Sequence, residues 1–149
     1  MKITPTEIKN YELNARKYLA DYGINHEELF FDHFGLQTLS ADEYKGLKDY
    51  FIERGKFDGE VNYHNRRLGK FRLGEDLQDK LELIEPHPGE VFWQIDCYVE
   101  HIAFRTKNLP KYINLFEVRV LTTFNVEGSK GFKIQGPSQL LIEFRSNKF

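Results

Sequence analysis

A seven-residue stretch written twice constrains the fold more than anything else in this sequence. Asp32-His33-Phe34-Gly35-Leu36-Gln37-Thr38 returns as Glu100-His101-Ile102-Ala103-Phe104-Arg105-Thr106: acid, His, bulky apolar, small, bulky apolar, long polar, Thr. Each copy reads as a strand whose side chains alternate between two faces. Two copies of one strand, each with a His in the same place, predict a duplicated module whose halves bring two imidazoles toward a common point.

The remaining signals fit two rounds of the same element order. Thr4 to Gly23 reads as a helix, with Thr4 as N-cap, Pro5 in the first turn, Glu7 completing a capping box and Gly23 as the stop. Leu29 to Thr38 is then a strand. A second helix starts at Ser40 with Glu43 three residues on and ends at Gly55. Strand pieces from Gly59 to Leu73 turn around Asn65-Arg66, Leu81 to Glu85 alternates as a strand, and Pro86-His87-Pro88-Gly89 stops it. Beyond an aromatic connector, Val99 to Thr106 is a strand and Asn108 to Phe116 a short helix with Pro110 in its first turn. Val118–Phe124, Phe132–Gln135 and Gln139–Arg145 are three further strands. Phe92 and Trp93, in the connector, are expected in core or linker packing rather than in a lid.

The expected fold is therefore α+β: two βαβββ modules forming a curved mixed sheet with a metal-binding cup, preceded by an N-terminal helix. The 149 residues suffice for a single domain with its own core, divided into the helix (1–25), the first module (26–90) and the second (91–149). An aromatic share of 15%, with 13 Phe and 8 Tyr, suits thick, sheet-based packing.

Charge excludes some partners. The net charge is −2, with acids and bases interspersed, and no basic stripe with interleaved stacking residues argues for nucleic acid. No apolar run reaches membrane-spanning length. The N-terminus lacks a signal-peptide core, and the single Cys97 suits a reducing compartment, so a cytoplasmic location is expected. The expected partner is a small molecule, bound by a monomer or homodimer.

Alternation places His33, Gly35 and Gln37 on one face, and His101, Ala103 and Arg105 on the matching one. The endings Leu83-Ile84-Glu85 and Leu141-Ile142-Glu143 then match, giving each half a Glu on its last strand. Glu82 competes with Glu85 for that role, but faces the other way from Leu83. His33, Glu85, His101 and Glu143 together suit a divalent transition metal such as Zn, Ni, Mn or Fe, and the absence of a thiolate disfavours a closed structural zinc site. Arg105 and Arg145 share the cup face with Gln37 and are candidates for holding substrate, with His64 reaching in from the hairpin as an acid or base.

The Asp32-His33 strand, Phe71-Arg72-Leu73, the Pro86-to-Glu90 turn, Glu100-His101-Ile102 and Ile142-Glu143-Phe144 together resemble the vicinal oxygen chelate superfamily, and within it the YecM-type proteins. The resemblance covers roughly residues 25–145 and implies metal ligation by His33, Glu85, His101 and Glu143. It further implies an isomerase or lyase acting on a small oxygenated metabolite chelated through vicinal oxygens. By likeness to the lactoylglutathione-lyase branch, Glu143 would move the proton. A ring-cleaving Fe(II) dioxygenase, using His33, His101 and Glu143 alone, is the enzymatic alternative. A non-catalytic small-ligand module is the other, although such a module has no use for metal ligands.

Overall fold

The second helix starts where capping chemistry puts it. In the computed structural model, which describes residues 5–126 and 128–146, α1 spans Pro5–Ala20, α2 Ala41–Arg54 and α3 Leu109–Leu115. Ser40 caps α2, its Oγ accepting from the Glu43 N–H at 3.0 Å, while the Glu43 carboxylate accepts from the Leu39 N–H at 2.8 Å. The proposed cap of α1, Thr4, lies outside the described residues. The strands are β1 Phe30–Gln37, β2 Lys56–Tyr63, β3 Arg66–Leu73, β4 Asp79–Ile84, β5 Tyr98–Arg105, β6 Val120–Val126, β7 Ser129–Gln135 and β8 Leu141–Arg145. This is the anticipated leading helix with two βαβββ modules in an α+β fold. No helix among the described residues is long and apolar enough to cross a membrane.

The packing forms two compact units. One contains Phe34–Glu100, and the other joins Thr6–His33 to the chain from His101 onward. The division runs through β1 itself, between His33 and Phe34. Helix α1 and the first half of β1 thus belong with the second module.

In the first unit β1 runs parallel to β4, and β4–β3 and β3–β2 are antiparallel. The β2–β3 hairpin turns on His64 and Asn65, at φ 51° and 64°, the positive-φ pair that a two-residue hairpin loop demands. Arg66 already belongs to β3. Helix α2 buries Tyr44 and Phe51, with Phe51 and Phe57 both against Phe71 (ring centroids 5.7 and 5.2 Å). Tyr44 Oη donates to Glu60 at 2.5 Å. It stands over Gly69, where a Cβ would come within 3.0 Å of it. Trp93 is 73% exposed rather than in the core. The connector that carries it forms no strand or helix, so nothing obliges alternate side chains to turn inward.

The second unit repeats the order. β5 runs parallel to β8, and β8–β7 and β7–β6 are antiparallel, with the start of β1 flanking β5. Ile102, Phe104, Ile142, Phe144, Ile134 and Phe132 are fully buried. Phe144 packs against Phe132, Tyr112 and Phe116 at 4.9, 5.7 and 5.7 Å. Each such ring stabilises the fold by about 1.5–3 kcal/mol through burial. Helix α1 covers the same side: Ala15 and Leu19 are fully buried, the Arg16 guanidinium lies 5.0 Å over Phe104, and Tyr22, in the turn that follows, meets Phe116 at 5.2 Å.

The repeat reaches past the heptad. A buried helical tyrosine stands eleven residues after each His (44 − 33 and 112 − 101) and donates its hydroxyl to a glutamate, Tyr44 to Glu60 and Tyr112 to Glu28. Burial and then the Glu28 contact push the Tyr112 hydroxyl up to about 12. The Thr38 N–H donates to the Ile84 carbonyl and the Thr106 N–H to the Arg145 carbonyl, both at 3.0 Å.

Candidate metal centre

With Ile102 and Phe104 committed to the helix side, pleating turns His101, Ala103 and Arg105 to the other face. In the β5–β8 register Ala103 faces Glu143. The small Ala103 leaves the space above it to the flanking imidazole and carboxylate. His33, the last β1 residue in this unit, comes within reach of both.

His33 Nε2 and His101 Nε2 are 3.1 Å apart, and Glu143 Oε2 lies 3.6 Å from His101 Nε2. All three side chains are buried. Among the described residues they form a group whose ligating atoms all fall within 4.8 Å of one another. Asp32 is 3% exposed, and its Oδ2 accepts from His33 Nδ1 at 2.8 Å. That contact fixes the tautomer: Nδ1 carries the proton and Nε2 turns its lone pair toward His101. At 3.1 Å that lone pair can be met by a His101 N–H or by a cation shared between the two rings.

The residues fit a divalent transition ion on three grounds. Their donors are two imidazoles and a carboxylate, the set such ions prefer. Two nitrogens bonded in adjacent positions at ~2.1 Å each stand about 3.0 Å apart, close to the separation seen. The buried carboxylate behind His33 supplies the outer hydrogen bond that ligating histidines ordinarily have.

Glu143 also has cationic neighbours. Lys133, its β7 partner in register, places Nζ 3.9 Å from Oε2, and Arg145 Nη1 lies 3.5 Å from Oε1. Burial pushes the Glu143 carboxyl up, but His101, His33, Lys133 and Arg145 outweigh it and hold it below the usual range. The group is therefore ionised at neutral pH.

The expectation for Glu85 needs correcting at the level of register. Glu85 lies just past β4, where Arg67 donates to it three times: backbone N–H at 3.0 Å, Nε at 3.1 Å and Nη2 at 2.6 Å. It is not among the converging donors. In the β1–β4 register Gly35 faces Glu82, as Ala103 faces Glu143 in β5–β8, and each Glu faces a Lys on the next strand, Lys70 and Lys133. Glu82 is thus the counterpart of Glu143. The Leu-Ile-Glu match compared like side chains three residues out of register.

The candidate substrate residues divide. Arg145 sits beside Glu143 with Nε and Nη2 donating to Ser129 Oγ at 3.2 and 2.9 Å. Arg105 is its neighbour in register, its guanidinium 5.4 Å over the Phe30 ring. Gln37 is buried and donates to the Thr38 carbonyl. His64 is exposed in the hairpin turn, edge-on to Tyr63 at 4.0 Å, with its carbonyl accepting from His87 Nδ1. Asp32 and Lys133 were missed. The acid–His doublet, repeated as Glu100-His101, was the available signal for Asp32. Lys133 has no comparable mark in the sequence.

Glu43, Asp96 and Cys97 also bring ligating atoms together. Glu43 is already committed to capping α2, and the positive end of the helix disfavours a cation there.

No protein-family model matches the chain, and no curated protein matches it by sequence. Solved structures do. A structural-genomics protein, 15% identical, aligns over 99% of this chain and 94% of its own with a TM-score of 0.67. Methylmalonyl-CoA epimerase from Mycobacterium tuberculosis, 14% identical, aligns over 87% of this chain and 96% of its own with a TM-score of 0.61. A halotolerant catechol dioxygenase, also 14% identical, aligns over 78% of this chain and 40% of its own with a TM-score of 0.56. This chain shares their fold, the α+β vicinal oxygen chelate fold.

Proposed function

We propose that the chain is a divalent-metal-dependent enzyme of isomerase or lyase type, acting on a small oxygenated metabolite that chelates the ion through vicinal oxygens. The observation that carries this reading is the pair of buried Nε2 atoms 3.1 Å apart with the Glu143 carboxylate beside them. His33, His101 and Glu143 would hold the ion. When bound, it would stabilise negative charge developing on a substrate oxygen.

The chain's own residues supply the rest. Asp32 orients His33. Glu143, kept ionised by its cationic neighbours, takes up a proton from the carbon next to the polarised oxygen and returns it at a different position or face. The aromatic layer under the strands excludes water from below. The epimerase likeness supports isomerase chemistry, and the finer resemblance to the YecM-type proteins names no reaction.

The test is metal analysis of untagged protein, wild type beside His33→Ala, His101→Ala and Glu143→Gln. About one divalent ion per chain is expected in the wild type, with loss in both His variants. A wild type that neither contains nor takes up a divalent ion refutes the reading.

One observation favours a second reading. The three converging donors are two His and one carboxylate, the composition of non-haem Fe(II) oxygenase sites. The fourth ligand that argued against a dioxygenase, Glu85, is engaged with Arg67. Oxygen consumption by the Fe(II)-loaded protein with a catechol would select this reading, and its absence would return the choice to the isomerase.

A further inference from the structure

We propose that Arg105 and Arg145 form the anion-holding end of this site, and that its ligand is a small 2-oxo or 2-hydroxy carboxylate. The inference deepens the reading of His33, His101 and Glu143 as the ligand-holding cluster and rests on it.

The two arginines face each other in register on adjacent parallel strands, on the same face as His101 and Glu143. Like charges in that arrangement repel and destabilise a sheet, so a structural role alone explains them poorly. The duplicated module gives an internal control. The positions equivalent to Arg105 and Arg145 are Gln37 and Ile84, also partners in register, and the hydrogen bonds from Thr38 and Thr106 fix that equivalence. The same architecture therefore forms without a single charge there.

Counting β5, β7 and β8 together, this face carries Arg105, Arg145 and Lys133 against one carboxylate, Glu143. Arg145 is held in place. Two of its nitrogens bind Ser129 Oγ, and Nη1 stays 3.5 Å from Glu143 Oε1, too far for a good hydrogen bond. Arg105 is half-buried with its guanidinium over Phe30. A planar fork so positioned suits a carboxylate. A second oxygen on the adjacent carbon then gives the ligand the vicinal pair that the cluster requires. A neutral diol or ketol would bring no negative charge to the arginine pair.

Pyruvate and hydroxyacetone form the matched probe pair: both carry vicinal oxygens, and only pyruvate is charged. Their dissociation constants for the Zn-loaded full chain can be read by ligand-observed NMR, beside Arg105→Gln, Arg145→Gln and the double variant. The wild type is expected to prefer pyruvate, and the preference to fall by about tenfold in the double variant. Zn affinity, measured separately by chelator competition, is expected to stay within about threefold, since neither arginine is a metal ligand. A pyruvate preference in the double variant within twofold of wild type overturns the proposal.

If Arg145→Gln fails to fold through loss of the Ser129 contacts, Arg105→Gln alone is decisive under the same criterion. If the wild type takes up no metal, the proposed function falls, and the same titration of metal-free protein still judges the anion site. Pyruvate binding that weakens in the Arg variants upholds it; equal or undetectable binding overturns it.

Discussion

Replacing Asp32 by Asn tests the metal reading where the geometry is most specific. Asp32 is buried, and its Oδ2 lies 2.8 Å from His33 Nδ1. The ligating Nε2 is on the far side of the same ring, so the carboxylate stands roughly 5 Å from positive charge arriving at Nε2. At that distance a unit charge pair is worth about 3 kcal/mol at an effective dielectric of 20, and somewhat under 1 kcal/mol in water. Asn keeps the size and one acceptor but removes the charge. Its amide can also donate to Nδ1, which moves the ring proton to Nε2 and blocks ligation. Loss of such an outer partner commonly weakens metal binding about 10- to 100-fold, or ~1.4–2.7 kcal/mol, inside the electrostatic bracket. Zn affinity measured by competition with a chromophoric chelator is expected to fall by that factor in Asp32→Asn. Thermal unfolding of the metal-free proteins separates the effect from misfolding. A folded Asp32→Asn that binds Zn within twofold of wild type would show that His33 is not a ligand, or that Asp32 does not orient it.

Three other outcomes are expected. Glu85→Gln should leave metal affinity unchanged and reduce stability by roughly 1 kcal/mol, discounted because Arg67 is half-exposed. Arg67, with burial opposing it, holds the Glu85 carboxyl below the ordinary range. Its stabilisation is therefore complete above the unfolded value and fades as pH falls through the folded one. Urea unfolding of Glu85→Gln between neutral pH and pH ~3 should show a shallower acid decline than wild type, and an identical slope would remove Glu85 from the account. Gly131→Ala places a Cβ 2.2 Å from the Phe144 carbonyl and 2.3 Å from Phe124 Cζ, so a loss of at least ~2 kcal/mol in chemical denaturation is expected.

Much of the fold was legible because its signals are local. The heptad, the Ser40–Glu43 cap and the helix-ending glycine at 55 act within a few residues, and each set a boundary close to where the structure has it. Both histidines and Glu143 were legible for the same reason, since alternation along a strand fixes a face. What was missed depends on partners distant in sequence. Helix α1 shows an apolar stripe but nothing that says which module it covers; the answer lies in Phe104 and Phe116. The register of β4 is set by its hydrogen bonds to β1 and β3, so matching Leu-Ile-Glu by identity misplaced the first module's Glu by three residues. The tyrosines eleven residues after each His could have been read from sequence, and they would have extended the repeat into the helices.

Comparing the two modules position by position separates what the fold requires from what the site adds. Tyr44 and Tyr112 recur as buried helical tyrosines, and Thr38 and Thr106 in the same backbone hydrogen bond. Side chains that recur in the same hydrogen bond or register serve the module itself. The modules diverge at Gln37 against Arg105, Ile84 against Arg145, and the half-buried Glu82 against the buried Glu143, the second of each pair lying in the unit that holds the candidate cluster. Divergence placed all of the added positive charge on one module. On the proposed function, a ligand bound there would meet an asymmetric field, with the proposed carboxylate base and two guanidiniums on the same strand pair. Such a field orients an anionic substrate in one direction only. Proton transfer through Glu143 would then act on a single defined carbon, which is what an isomerase needs and what a merely sequestering pocket does not.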